Sequence, residues 1–294
     1  MHAPVRLVAI DMDGTLLATF AQKVGDRTAR VLRAAQAAGI TVAIATGRRV
    51  AYTAPLLNGL QLRGDTPLIT SNGAVTRRLD GTPIDHCHLD ASVALRLCGL
   101  LRGFGALVFT FDRMGKGELV LEDLAQAHER ITLWMDANRE AIEVVVPLER
   151  AFEVGEDPIQ GMVCGGMASM KAAEKALQAS DLHARCECVR TEYPARNLSI
   201  LDLMPPGVTK GWALSRLAER LGVDRKETMA IGDNWNDLDM LEWVAQPVLM
   251  ANASLELRTL ASTRGWKQAP PNDQEGVAVI LERLLERQGA RVRA

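Results

Sequence analysis

The stretch Leu7-Val8-Ala9-Ile10-Asp11-Met12-Asp13-Gly14-Thr15 joins four apolar residues to two aspartates and a glycine. A short, unbroken apolar run that ends in a charged turn is how a strand buried on both faces of a parallel sheet is written. Downstream, Asp26 reads as the N-cap of a helix that continues through Ala38 and is closed by Gly39. Within it Ala29, Leu32, Ala35 and Gln36 recur at helical spacing, so one face can pack on a sheet. A second strand is predicted from Thr41 to Ala45, a helix from Arg48 to Leu57 and a third strand from Pro67 to Thr70. This β-α-β-α-β order predicts an α/β, Rossmann-like parallel sheet with helices on its faces.

Beyond Gly81-Thr82-Pro83 the rhythm changes. Strands are predicted at Ala106 to Phe111, Glu118 to Leu121, Glu143 to Pro147, Gly161 to Cys164, Arg185 to Thr191 and Leu198 to Leu203. Helices are predicted near Leu124 to Arg139 and Met170 to Ala179. Such a composition predicts an antiparallel sheet with helices on one face, a separate α+β unit. After Pro205-Pro206-Gly207 the first rhythm returns: a helix from Lys210 to Leu221, a strand from Thr228 to Ile231 and a helix from Asn236 to Val244. A strand from Pro247 to Met250 and an amphipathic helix from Val277 to Arg287 close the chain. The expected organisation is a core from residues 1–83 and 205–294, with an α+β domain inserted at 84–204.

The 294 residues are enough for two domains, and a hydrophobic fraction of 48% is enough to bury a sizeable core. Only 4% of the residues are aromatic, so that core is aliphatic. The net charge of −2, the balance of 34 basic and 36 acidic side chains, provides no overall field for nucleic acid or an anionic membrane. No apolar run approaches the roughly 18 residues of a spanning helix. Met1 to Ile10 lacks a signal-peptide pattern. The cysteines Cys87, Cys98, Cys164, Cys186 and Cys188 are scattered, without a Cys-x-x-Cys. A reduced, cytoplasmic protein is the expectation.

Chemistry is concentrated where strands end. Asp11 and Asp13, Thr46-Gly47-Arg48, and Gly232-Asp233-Asn234 each follow a predicted strand directly. Ligands of open parallel sheets bind at the carboxyl ends of the strands, so these groups are expected in one crevice, with Lys210 opening a helix at the same edge. Converging there, Asp11, Asp13, Asp233 and Asp237 would repel one another, by about 4 kcal/mol for a pair ~4 Å apart at an effective dielectric of 20. A cation is needed, and carboxylate oxygens without His or Cys suit Mg²⁺ rather than Zn²⁺. On extended backbone, residues two apart point to the same side, so one aspartate of Asp11-x-Asp13 can attack while the other protonates. The attacking aspartate is expected to be ionised at neutral pH, and its neighbour, among like charges, to hold a proton. Gly14 permits the close backbone approach a phosphate requires. Each signal alone has a plain alternative. An aspartate pair at a turn can be surface capping, Asn234 or Asn236 can cap a helix, and Lys210 can be any helix-starting lysine. None of these accounts for all of them arriving at strand ends of one sheet.

Taken together, these segments resemble the haloacid dehalogenase (HAD) superfamily phosphatases of the Cof type. The likeness is carried by Asp11-Met12-Asp13-Gly14-Thr15-Leu16-Leu17, Ala45-Thr46-Gly47-Arg48 and Ser71-Asn72-Gly73-Ala74, then by Gly207-Val208-Thr209-Lys210-Gly211 and Gly232-Asp233-Asn234-Trp235-Asn236-Asp237-Leu238-Asp239-Met240-Leu241. The resemblance implies that Asp11 is the nucleophile and, with Asp233 and the Asp13 carbonyl, a Mg²⁺ ligand. It implies that Asp13 is the general acid and base, that Thr46, Lys210 and Asn236 bind phosphate, and that Asp237 supports the metal's water shell. Arg48 and Asn72 would lie nearer the substrate. An aspartate at position 13 fits phosphatases and phosphomutases, whereas family ATPases have Thr there. Met250-Ala251-Asn252-Ala253 departs from the family's usual Met-Gly-Asn-Ala, which puts the shape of that loop in question. The expected function is Mg²⁺-dependent hydrolysis of a small phosphorylated metabolite such as a sugar phosphate, with specificity in the inserted cap. The alternatives are a phosphomutase or specialised sugar-phosphate phosphatase on the same core, and a non-catalytic phosphometabolite-binding regulator.

Overall fold

The structure, a computed structural model, describes residues 3–19, 23–113, 115–123 and 131–289. It divides into two units, Met1–His86 with Thr209–Ala294, and Cys87–Val208. In the first, strands β1 (Leu7–Asp11), β2 (Thr41–Ala45), β3 (Pro67–Thr70), β4 (Val75–Arg78) and β5 (Pro83–His86) come from the amino-terminal part. In the same unit β12 (Thr228–Gly232), β13 (Gln246–Met250) and β14 (Lys267–Ala269) come from the carboxyl-terminal part. Their order is β14-β13-β12-β1-β2-β3-β4-β5, with β1 between β12 and β2 and parallel to both. The strand that holds Asp11 is therefore central.

The apolar runs serve both faces of this sheet. Val8, Ile10, Val42, Ile44, Met229 and Ile231 form one core with Val31, Leu32 and Ala35 of helix α1 (Asp26–Ala37) and with Leu281 and Leu284 of α9 (Gly276–Arg287). The alternate residues Leu7, Ala9, Ala43, Ala45, Ala230 and Leu249 form the other. There they meet Leu214 and Leu217 of α6 (Lys210–Leu221), Met240 and Leu241 of α7 (Leu238–Trp243) and Leu257 of α8 (Leu255–Thr263). Helix α2 (Val50–Leu57) completes the set.

Several local expectations change. The N-cap of α1 is Gly25, and Asp26 is the first helical residue, in the turn where an acidic side chain suits the helix dipole. Gly81-Thr82 lies in the turn of a hairpin whose second strand opens at Pro83: β4 runs antiparallel to β3, and β5 to β4, so β5 belongs to the core sheet. The helix expected from Asn236 begins at Leu238, after a 3₁₀ turn over Trp235–Asp237. The segments α8 and β14 are too polar and too short, respectively, to show a clear period.

In the second unit β10 (Glu187–Tyr193), β11 (Leu198–Met204), β9 (Gln160–Gly165), β6 (Ala106–Thr110), β7 (Leu119–Leu121) and β8 (Ile142–Val144) lie in that order. All neighbours are antiparallel except β7 and β8. One face packs on α3 (Ala91–Leu101) and α5 (Met167–Gln178), through Leu97, Leu101, Met170 and Leu177 against Leu107, Phe109, Val163 and Leu201. Helix α3, which sequence reading missed, is capped by Asp90, whose carboxylate accepts from the Ser92 and Val93 amides. The opposite face is also covered, because Trp134 and Met135 of α4 (Thr132–Ala137) pack against Val108, Cys164, Leu119 and Leu198. Of the helix predicted near Leu124 to Arg139, residues 124–130 lie outside the described ones. Cys186 and Cys188 join the core under α5, and burial pushes the Cys186 thiol up to about 11. Among the described residues no helix is long and apolar enough to cross a membrane.

Candidate active site

Every parallel strand near the centre of the core sheet delivers a polar group at its carboxyl end. Asp11 closes β1, Thr46 follows β2, Ser71 and Asn72 follow β3, and Asp233 follows β12. The β1–β2 register pairs Asp11 with Ala45, which brings Thr46 one step further along the same edge. Lys210 opens α6, whose N-cap is Thr209.

The side chains then assemble around one buried cation. The Lys210 ammonium donates to Asp11 Oδ1 at 2.6 Å and to Asp237 Oδ1 at 2.7 Å. Its side chain is 0% exposed, as is that of Asp237, and that of Asp11 is 5% exposed. Burial alone would lower the Lys210 pKa, but the two carboxylates outweigh it and hold the ammonium above its ordinary range. Helix α6 is itself anchored, since the Asp239 carboxylate accepts from the Gly211 amide at 2.8 Å.

The carboxylates are more crowded than one ammonium can neutralise. One oxygen each of Asp11, Asp233 and Asp237 falls within 4.8 Å of the others. Burial first, and then Asp237, push Asp11 up to about 7 in spite of Lys210. Asp233 is raised well above its ordinary value by burial and by Asp11 and Asp237. From protein groups alone, then, Asp11 is not the fully ionised group expected from its reference pKa. The site lacks positive charge, and its donors are all oxygen, with no His or Cys among them. A hard divalent cation such as Mg²⁺ fits that deficit.

The remaining lone pairs separate the roles of the three. Both oxygens of Asp237 are committed: Oδ1 to Lys210, and Oδ2 to the amides of Asp233 and Asn234 at 2.9 and 3.0 Å. Asp237 is therefore a brace, which holds Lys210 and the loop carrying Asp233. Its fit is tight, because a Cβ on Gly232 would lie 2.6 Å from Asp237. On Asp11, Oδ1 is held by Lys210, while Oδ2 has no hydrogen bond among the described residues. Asp233 accepts from Thr15 Oγ1 at 2.8 Å and, more weakly, from Asn252 Nδ2 at 3.3 Å.

Gly14 serves the packing of Asp233. Its φ is +83°, and a Cβ there would lie 2.3 Å from Asp233 Oδ2, so the missing side chain is what lets the Asp233 carboxylate sit against the β1 turn. Asn252 secures the same turn by donating to the Gly14 carbonyl at 2.8 Å. Ala251, at the position where the family pattern has Gly, is accommodated: its amide donates to the Ala269 carbonyl, and Asn252 Oδ1 accepts from the Asn272 amide.

Thr46, 1% exposed, accepts the Arg48 amide on Oγ1, and its carbonyl accepts from the Asn72 amide. Asn236 Nδ2 donates to Asn72 Oδ1 at 3.1 Å. Ser71 and Asn72 both hold left-handed backbone, with φ of 47° and 48°, a conformation that costs roughly 1–2 kcal/mol per residue. Such strain is tolerated where surrounding contacts fix the chain. Asp13 does not sit among like charges alone: Arg48 grips its carboxylate with two donors. Sequence reasoning gave no role to Thr15, Asn252 or Asp239. Thr15 and Asn252 carried a signal, as they follow β1 and β13, whereas Asp239 lies within a helix and carried none.

Fold and site together define a parallel α/β core, interrupted by an α+β unit, with a buried carboxylate cluster at the carboxyl ends of its strands. A model of the haloacid dehalogenase-like hydrolases matches residues 8–281, and the chain belongs to that family. It is similar to the 5-amino-6-(5-phospho-D-ribitylamino)uracil phosphatase of Bacillus subtilis strain 168, with 28% identity over 304 residues covering 97% of this chain and 100% of the relative. It is also similar to the HMP-PP phosphatase of Enterobacter sp. strain 638, with 30% identity over 258 residues and 86% of each chain covered. Among solved structures, a phosphatase of the haloalkanoate superfamily from Bacteroides thetaiotaomicron shares the fold, with a TM-score of 0.75, 23% identity, and 96% of this chain and 95% of that one covered.

Proposed function

We propose that this chain is a Mg²⁺-dependent phosphomonoesterase that hydrolyses a small phosphorylated metabolite through a phosphoryl-aspartate on Asp11. The observation that carries this reading is the state of Asp11. It ends the central strand, Lys210 holds one of its oxygens, the other accepts no hydrogen bond among the described residues, and a second unneutralised carboxylate lies beside it. Asp11, Asp233 and the Asp13 carbonyl are the proposed metal ligands, with Asp237 as their brace. Bound there, Mg²⁺ supplies positive charge that offsets the carboxylates and favours a dianionic phosphate.

In the first step Asp11 Oδ2 attacks phosphorus, the bond from phosphorus to the ester oxygen breaks, and Asp13 gives that oxygen a proton. In the second, water attacks the phosphoryl-aspartate while Asp13 takes its proton, and the bond to Asp11 breaks to release phosphate. Lys210, Thr46 and Asn236 are the proposed ligands of the phosphoryl oxygens, with Asn72 beside them. Selection among substrates is assigned to the unit Cys87–Val208. The named relatives, which are phosphatases of a ribitylaminouracil phosphate and of HMP-PP, support a small phosphorylated metabolite as substrate class.

The test is a phosphate-release screen over sugar phosphates, nucleotides, flavin mononucleotide, pyridoxal phosphate and an aryl phosphate, with Mg²⁺ and with EDTA. Turnover is expected with Mg²⁺ alone, and Asp11→Asn should abolish it while leaving the circular dichroism spectrum intact. Activity retained in Asp11→Asn would remove Asp11 as nucleophile. A phosphosugar isomerised without phosphate release would redirect the reading to a mutase.

A further inference from the structure

We propose that Arg48 is a positioning residue that acts through Asp13, and that Tyr52 fixes Arg48 in turn. The inference rests on the proton-transfer role proposed for Asp13. Arg48 Nε donates to Asp13 Oδ2 at 2.6 Å, and Nη2 donates to Oδ1 of the same carboxylate. Two parallel donors on two oxygens fix both the position and the plane of a carboxylate, which a single point charge does not do. The guanidinium carbon also lies 4.7 Å from the centre of the Tyr52 ring, one helical turn further along the chain.

Arg48 is held at its backbone as well. Its amide donates to Thr46 Oγ1 at 3.1 Å, and its carbonyl accepts from the Ser71 amide at 2.9 Å. The two strand ends β2 and β3 thus fix the main chain, and Tyr52 fixes the guanidinium. The Arg48 side chain is 16% exposed and that of Asp13 34% exposed, so the arginine is the more deeply buried partner. The resemblance placed Arg48 on the substrate side. The geometry instead spends its fork on a protein carboxylate, and a proton-transfer group displaced by about 1 Å can lose roughly 100-fold in rate.

Arg48→Met, Arg48→Lys, Asp13→Asn and the double variant Arg48→Met/Asp13→Asn are compared with Mg²⁺ on p-nitrophenyl phosphate and on glycerol phosphate, after thermal melts. An acidic aryl leaving group needs little protonation and an alkyl one needs much. Arg48→Met should therefore lower kcat on glycerol phosphate about 10- to 100-fold, lower it on the aryl ester less than about 5-fold, and leave KM within about 3-fold. Arg48→Lys, which keeps the charge without the fork, should fall between Arg48→Met and the wild type. The double variant should be no slower than Asp13→Asn, because a residue that acts through another adds nothing once that other is gone. Additive losses, or a KM that rises on both substrates at constant kcat, would mean that Arg48 binds substrate, and the inference would be wrong. Equal losses on both substrates in Asp13→Asn would instead overturn the proton-transfer reading beneath it, and the inference with it. Should Arg48→Met melt out at the assay temperature, Tyr52→Leu carries the same test: its loss should be confined to glycerol phosphate, and equal losses on the two esters would refute the coupling.

Discussion

Replacing Lys210 with Met, which is close in length and uncharged, should be among the most damaging single changes in the core. The ammonium is fully buried and bridges Asp11 and Asp237 at 2.6 and 2.7 Å. Removing one member of a buried ionic network leaves the others uncompensated, at about 3–5 kcal/mol. Against a typical stability of roughly 5–15 kcal/mol, that is at least about a fifth of the fold's stability. The assay is urea unfolding of EDTA-treated protein at several pH values. Asp11 already sits at about 7 with Lys210 beside it, above the 3.8 of an ordinary aspartate. Over the window between those values the folded chain holds a proton that the unfolded chain has released, so stability falls as pH rises through it. Without Lys210 the Asp11 value rises further, so the deficit of Lys210→Met relative to wild type should widen above pH 7. Adding Asp237→Asn should recover part of the loss, since the amide oxygen can still accept from Asp233 and Asn234. A loss below about 1 kcal/mol, or a deficit independent of pH, would refute the argument that this lysine neutralises a buried carboxylate cluster.

Mg²⁺ binding should release protons. With Asp11 at about 7 and Asp233 also raised by burial and its neighbours, the apparent affinity should fall at least about tenfold per pH unit below pH 6, as measured by calorimetry in buffers of different ionisation enthalpy; a flat profile without proton release would contradict it. Gly14→Ala puts a Cβ 2.3 Å from Asp233 Oδ2 on backbone of φ +83°, so Mg²⁺ affinity should drop at least about tenfold and stability by about 1–3 kcal/mol; unchanged calorimetric affinity would show that Asp233 needs no such contact.

The chain announced the sheet because buried parallel strands are written as apolar runs. Residues 7–11, 41–45 and 228–232 could be placed without coordinates, and the polar residues just after them with equal ease. The hairpin β4–β5 was lost because its strands, with Arg77, Arg78, Asp85 and His86, carry no apolar run. The helices of the inserted unit were expected on one face of its sheet, whereas α4 covers the face opposite α5, since period alone does not say which side a helix covers.

The sequence by itself therefore determined which residues reach the site: Asp11, Asp13, Thr46, Lys210 and Asp233 all follow from strand ends and helix starts, which are local. The tertiary structure alone decided what each one touches. Arg48 lies on Asp13, Asp237 is consumed by Lys210 and two amides, and Asn252 reaches the turn behind Asp11. These contacts join residues as far as 238 positions apart. They depend on strand register, rotamer and the space a missing Cβ leaves, and a one-dimensional pattern carries none of the three.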